Sequence, residues 1–310
     1  MINIEPHNQK KLFGLDKYMN NLINLYKSKK LPNKILLSGQ KGQGKSTLAY
    51  HFINFVLSQN ENFSYNINDF VINENNYSFK TILNKSNPNL ALIDLNIEKK
   101  SIDITQIREL ILNLNKSSFN EKPRFVLIDN IEFLNTNSIN ALLKIIEEPS
   151  ENIFFILINN NKKILSTLLS RCINFKISLS NKENLDISQK ILNENIFKII
   201  NKDLINYYLT PGYIYSLFIF AKNNDYDLLN INLKDLLKNI IKDKHFKKNN
   251  STDFLIHDLI EFYLSKINFS VSSKINDNYS YFIKRLSDIK KFNLDSESLF
   301  IEFEDRVLNG

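Results

Sequence analysis

Along roughly the first 178 residues, near-continuous apolar bursts alternate with segments whose apolar positions recur every three or four residues. The bursts fall at 35–38, 91–95, 125–129, 154–158 and 173–177. Runs without polar alternation fit strands covered on both faces, and their alternation with helical segments predicts a parallel α/β sheet of five strands. Helices are expected at 16–29, 46–57, 104–115 and 137–148. In the third, Ile104, Ile107, Leu110 and Ile111 share a face; in the fourth, Ile139, Leu142, Leu143 and Ile146 do, before a stop at Pro149. Residues 60–90 are polar and Asn-rich, and their weak periodicity leaves the segment unread. Beyond 178 the strand pattern ceases. Short helices are expected over 180–222, broken at Thr210-Pro211-Gly212, and amphipathic helices at 228–242, 253–267 and 279–292. The division expected is 1–178 for the α/β domain, 179–224 for a small helical lid and 225–310 for an all-α C-terminal domain.

The turn after the first burst changes the picture most. Residues 39–47 read GQKGQGKST, a full match to GxxxxGK[ST], placed between a predicted strand and a predicted helix as that pattern requires. Gly39, Gly42 and Gly44 let the backbone curl so that its N–H groups converge on phosphate oxygens, and the helix N-terminus adds partial positive charge. Lys45 is placed to reach the outer phosphates, with Ser46 as an Mg²⁺ ligand and Thr47 beside it. The chain has only six glycines and three lie in this loop, which argues against a chance glycine-rich turn.

Composition sets outer bounds. At 310 residues the chain is long enough for two or three domains, and 43% hydrophobic with 24% charged residues fits a soluble globular protein. No run reaches the about 20 apolar residues of a membrane helix, and the first residues lack a secretory pattern, so the cytoplasm is expected. Its one cysteine, Cys172, excludes an internal disulfide and a cysteine-cluster zinc site; the four histidines are scattered without metal-ligand spacing. The net charge of +7 permits a nucleic-acid partner. Basic residues are nevertheless dispersed within a general Lys, Asn and Ile bias, so charge alone points to no surface.

The burst at 125–129 reads FVLID and ends in Asp129, as the second nucleotide-binding strand of phosphate-loop proteins does, where the aspartate holds Mg²⁺ through water. The next residue is Asn130, where motor ATPases carry a glutamate that polarises water. An asparagine cannot act as a base, so the pattern predicts binding with weak or no intrinsic hydrolysis.

Three further stretches, NSINALLKIIEEP at 137–149, FFIL at 154–157 and LLSRC at 168–172, resemble the clamp-loader AAA+ subunits in order and spacing. The similarity runs from Leu12-Phe13-Gly14 to Cys172, about half the chain. Within that family, Asn87-Pro88-Asn89-Leu90 and the segment 102–110 look most like the delta-prime kind of bacterial DNA polymerase III. The resemblance implies that Lys45, Ser46 and Asp129 hold ATP and Mg²⁺ with no zinc. It implies that Asn159, at the end of the fourth burst, is a phosphate sensor, against the plainer role of an exposed loop residue. Arg171 matches the finger that acts on a neighbouring subunit's ATP, against the plainer role of a surface ion pair; Cys172 then is a small buried residue. Where hydrolysing relatives carry a sensor arginine after a lid glycine, this chain has Tyr213 after Gly212. The implied partners are clamp-loader subunits of gamma/tau and delta type, the sliding clamp indirectly, and primed DNA, with the C-terminal helices as a collar and no membrane. An autonomous AAA+ motor and a small-molecule kinase share the loop. Asn130 and Tyr213 weigh against the motor, and the missing lid-arginine cluster against the kinase.

Overall fold

The computed structural model describes residues 5–95, 101–116, 119–147, 152–205, 209–245, 250–268, 273–292 and 296–309. The chain forms two compact units, one of Met1–Ile187 with Thr210–Gly212, the other of Ser188–Leu209 with Tyr213–Gly310.

The first unit is built on five parallel strands, β1 (Lys34–Ser38), β2 (Leu90–Ile93), β3 (Arg124–Ile128), β4 (Ile153–Asn159) and β5 (Ile173–Lys176), in the spatial order β2-β3-β4-β1-β5. All five expected strands are present. The register pairs Ser38 with Asn159 and Lys176, and Ile128 with Leu157, so the strands deliver their C-terminal ends to one edge. Leu36, Val126, Leu127, Phe155 and Leu157 are fully enclosed, as two-sided burial of a parallel sheet requires.

The expected helices appear within two residues of their bounds: α1 (Asp16–Lys27), α2 (Lys45–Leu57), α4 (Ile104–Leu114) and α5 (Thr136–Glu147). Asp103 and Gln106 form a capping box that starts α4. The expected stop at Pro149 lies outside the described residues. α2 is buried from Leu48 to Leu57 on every side, since the 60–90 insert and the N-terminal segment cover the face that points away from the sheet. That insert does hold a helix, α3 (Tyr77–Leu83), capped by the Asn76 side chain accepting from Phe79 N–H at 2.7 Å. Asn76 is itself buried against Asn54 of α2, at 3.1 Å.

The second unit is helical: the end of α7 (Asn181–Leu192), most of α8 (Pro211–Asn223), then α9 (Leu233–Lys242), α10 (Asn250–Asn268), α11 (Ser273–Phe292) and α12 (Glu297–Phe303), which runs on into a π turn. In α9, Leu233, Leu236, Leu237, Ile240 and Ile241 form one buried stripe at helical spacing. Pro211, expected as a breaker, instead opens α8, where a first-turn residue needs no amide hydrogen. α12 was not expected; its Leu299, Phe300 and Phe303 are buried. Among the described residues no helix is long and apolar enough to cross a membrane.

His51, fully buried in α2, fastens the N-terminal segment and the insert together. Its Nε2 lies 3.0 Å from the Gln9 carbonyl and its Nδ1 2.9 Å from the Tyr65 hydroxyl. A carbonyl only accepts, so Nε2 carries the hydrogen and Nδ1 accepts from tyrosine. Burial pushes the imidazole down to about 4, with the Gln9 carbonyl pulling the other way. The unfolded chain, whose histidine titrates near 6.5, therefore binds the extra proton first. This residue's contribution to stability is complete above about pH 6.5 and is lost as pH falls toward 4, at no more than about 1.4 kcal/mol per pH unit. Denaturant titrations between pH 4 and 7 are expected to show a shallower acid slope for His51→Gln than for the native chain; equal slopes would refute the assignment.

Candidate functional site

The loop between β1 and α2 requires its glycines. Gly42 and Gly44 have φ of 84° and 81°, in the left-handed region, and Gly44 caps α2. Gly39 has φ 154°, and a Cβ there would stand 2.4 Å from the Ile177 carbonyl oxygen and 2.8 Å from Gln43 Oε1. Lys45 opens α2 and is almost wholly buried. Its ammonium donates to the carbonyls of Gly39 (2.9 Å) and Gln40 (2.7 Å), so the side chain arches back over its own loop. Thr47 follows in the first turn, half-buried.

One strand away, past the end of β4, Asp129 leaves β3, and the Ser46 hydroxyl donates to its carboxylate. Lys45, Ser46 and Asp129, expected together from separate motifs, are thus brought together at the C-terminal edge of the sheet. Burial pushes the Asp129 carboxyl up to about 6, with Asp94 adding to it, while the Ser46 hydroxyl, the Asn130 N–H and Lys45 pull the other way. Burial pulls Lys45 down to about 8 against the opposing fields of Asp129 and Glu132, with Lys41 adding to the fall. The site is a buried lysine near a half-buried carboxylate, each disfavoured in its charged form by loss of solvation.

Asn130 sits in a left-handed turn, φ 56°, which aims its amide along the sheet edge. It donates to Asp94 Oδ1 at 2.8 Å and accepts from Asn160 Nδ2 at 2.8 Å; Asn160 also donates to both oxygens of Glu132, from its side chain at 3.0 Å and its backbone at 3.3 Å. Asp94 and Asn160 were missed from the sequence. A carboxylate inside the 91–95 burst, one residue past β2 and at the same edge as Asp129, was the available signal for Asp94; nothing separates Asn160 from its neighbours in an Asn-rich turn.

Asn159 ends β4 beside Ser38, and its carbonyl accepts from Gly39 N–H at 3.3 Å. Its side chain folds over its own turn, donating to the Lys162 carbonyl at 2.9 Å and accepting from Lys162 N–H at 3.3 Å. The backbone adjoins the loop, while the amide that reaches toward Asn130 belongs to Asn160.

Arg171 lies elsewhere. It precedes β5, whose Ile173 pairs with Ile35 at the start of β1, so it sits at the N-terminal edge of the sheet. About 13 Å of strand separates Ile35, level with Ile173, from Gly39, at roughly 3.3 Å per residue. Nε donates to Glu147 Oε1 at 3.0 Å and Nη1 to the Thr167 carbonyl at 2.9 Å. The Arg171 side chain is 33% exposed and that of Glu147 50%, so this pair contributes little. Cys172, next to it, is buried in the sheet core, and burial pushes its thiol up to about 11, away from reactivity. Tyr213 belongs to the second unit; among the described residues its buried hydroxyl has no hydrogen-bond partner.

A family model described as DNA polymerase III, delta subunit, matches residues 14–181, more than half of the chain. The chain belongs to that family. Over 159 residues it is 32% identical to the DNA polymerase III subunit delta' of Buchnera aphidicola subsp. Baizongia pistaciae, covering 49% of this chain and 46% of that one. Over 233 residues it is 29% identical to the subunit delta' of Buchnera aphidicola subsp. Schizaphis graminum, covering 71% and 66%. The DNA polymerase III subunit gamma of the same organism is 29% identical over 182 residues, covering 58% and 47%. The matches span about half to two thirds of these relatives' lengths. The family match contains every loop, strand-end and arginine position described above and stops short of Thr210.

Gly39→Ala is expected to destabilise the sheet unit by about 1–3 kcal/mol, because both the backbone conformation and the Ile177 carbonyl oppose a side chain. An unchanged denaturation midpoint would show that the loop relaxes at no cost.

Proposed function

We propose that this chain is a clamp-loader subunit of the replicative DNA polymerase III, of the delta' kind. It would hold ATP with Mg²⁺ and lend Arg171 to the ATP of an adjacent subunit while the sliding clamp is loaded onto primed DNA. The observation that carries the trans role is the separation of the chain's two phosphate-directed features: its own loop lies at one edge of the sheet and Arg171 at the other. A planar, permanently charged fork on a partly exposed edge suits phosphate oxygens presented by a second molecule. Family membership supports the setting. The division into an α/β domain at 1–178, a lid at 179–224 and a collar at 225–310 would fit it, with gamma/tau- and delta-type subunits as partners and a cytoplasmic location.

The residues present fit ATP with Mg²⁺. The positive-φ glycines and buried Lys45 suit phosphates, and the adjoining Ser46 hydroxyl and Asp129 carboxylate are hard oxygen donors that suit Mg²⁺. Bound Mg²⁺ would neutralise charge on the phosphate oxygens. Ser46 and Asp129 would hold it, Lys45 would leave its carbonyl partners for the outer phosphates, and the first-turn N–H groups of α2 would take the inner ones. Asn159 would sense the terminal phosphate through its place beside the loop. No residue at position 130 can accept a proton from water, and the Asn130 amide is engaged with Asp94 and Asn160. The chain would therefore bind nucleotide and turn it over slowly or not at all alone, which argues against the autonomous motor.

In a reconstituted complex in which only the neighbour's ATP site is competent, Arg171→Ala is expected to slow clamp-dependent ATP hydrolysis by roughly 10³-fold, the lower range for such fingers, with ATP binding by the isolated chain unchanged. Normal turnover in that complex would remove the finger role, and brisk hydrolysis by the native chain alone would favour the motor. A second expectation concerns acid. Because Asp129 takes up its proton near pH 6, Mg²⁺-dependent ATP affinity should fall below that pH, approaching tenfold per unit. Asp129→Asn should bind weakly at pH 7.5 and lack that component of the pH profile in fluorescent-nucleotide titrations; parallel profiles would exclude Asp129 as the ligand.

A further inference from the structure

Two outward carbonyls of the phosphate loop are held by a segment 170 residues further along the chain. Thr210 Oγ1 donates to the Lys41 carbonyl at 2.8 Å, and the Gly212 N–H donates to the Gly42 carbonyl at 2.9 Å. Thr210 is 4% exposed, and Thr210–Gly212 belongs to the same compact unit as the loop. The approach at Gly212 is close: a Cβ there would stand 2.7 Å from Gly42 Cα. Gly212 lies in the first turn of α8, where an N–H has no partner inside the helix and is available to an outside acceptor.

The peptide bonds of the loop are trans, so each C=O points opposite to the N–H of the next residue. Anchoring the Lys41 carbonyl on Thr210 turns the Gly42 N–H to the other side of the loop. Anchoring the Gly42 carbonyl on Gly212 does the same for the Gln43 N–H. Among the described residues neither amide has a protein acceptor, and Gln43 as a whole is 5% exposed. Rotating either peptide plane would break a bond to Thr210 or Gly212 and bring that residue against the loop.

We infer that Thr210 and Gly212 are positioning residues for phosphate binding, holding the Lys41–Gly42 and Gly42–Gln43 peptide planes so that two amide hydrogens are aimed before a ligand arrives. This presupposes the nucleotide reading given above and adds to it a determinant outside the loop motif. Preorganised donors need no rotation when the anion binds, so loosening the planes weakens affinity while leaving the folded state in place.

The test uses the full chain and a fluorescent ATP analogue with Mg²⁺. Thr210→Val removes the hydroxyl while keeping the volume, Thr210→Ser restores it, and Gly212→Ala forces the close approach apart. Thr210→Val is expected to weaken binding roughly two- to tenfold, the range of one neutral hydrogen bond, while the variant stays folded at the assay temperature. Thr210→Ser should bind like the native chain, and Gly212→Ala more weakly than Thr210→Val. Hydrogen exchange of the peptide containing Gly42 and Gln43 should quicken in the weakened variants. If the native chain binds and Thr210→Val binds equally well, the positioning role is wrong and the nucleotide reading stands. If the native chain does not bind, both fall. Should Gly212→Ala fail to fold, the Thr210→Val and Thr210→Ser pair still decides.

Discussion

A parallel sheet sends every strand the same way, so each strand hands its following residue to one edge. Here that edge receives Gly39 after β1, Asp94 after β2, Asp129 after β3 and Asn160 after β4. These residues are far apart in the chain, and no local interaction would collect them. Once β1 is flanked by β4 and β5, and β4 by β3, Ser46 at the mouth of α2 meets Asp129. The same constraint sends Arg171, which precedes a strand, to the opposite edge. Strand direction alone sets the phosphate-loop groups at one edge of the sheet and Arg171 at the other.

The collected groups lie in a poorly solvated place, and their electrostatics follow. Burial alone would neutralise Lys45 and Asp129. Their mutual attraction and the hydrogen bonds from Ser46 and the Asn130 backbone counter part of that cost. Around them runs a chain of amide–carboxylate contacts, from Asp94 through Asn130 and Asn160 to Glu132. Each member is satisfied by its neighbour, so the Asn130 amide is fixed in a position where a carboxylate would have a free oxygen. An asparagine amide at this position cannot accept a proton from water.

Much of this was legible in the sequence because it is written in runs. Two-sided burial makes strands into apolar bursts, and all five were found. The phosphate loop is a contiguous motif whose residue types are dictated by backbone shape. What escaped depends on contacts between distant residues. The insert reads as featureless because its order comes from a buried Asn54–Asn76 pair and from the His51–Tyr65–Gln9 link, neither of which has a period. Asn159 and Asn160 are indistinguishable by type, and only the turn after β4 decides which amide faces Asn130. Proline punctuates both ends of helices, so from sequence Pro211 reads as a break although it opens α8. Its role as a helix start became visible when the Gly212 N–H found a carbonyl of the phosphate loop.

The weak pair at Arg171 bears on how such a side chain can serve two states. A guanidinium with no partner would sweep many rotamers on an exposed edge, and ordering it on contact would cost up to about 2 kcal/mol of side-chain entropy. A buried, fully satisfied pair with Glu147 would fix it but would be costly to break. The observed arrangement lies between these. Thr167 fixes one nitrogen through a backbone carbonyl, Glu147 takes two others through one half-exposed oxygen, and water still reaches the group. Such a hold narrows the rotamers at a small cost in solvation, and an anion of higher charge would compete well with one exposed carboxylate. Glu147 thus steadies Arg171 without binding it tightly enough to keep it from a stronger anion.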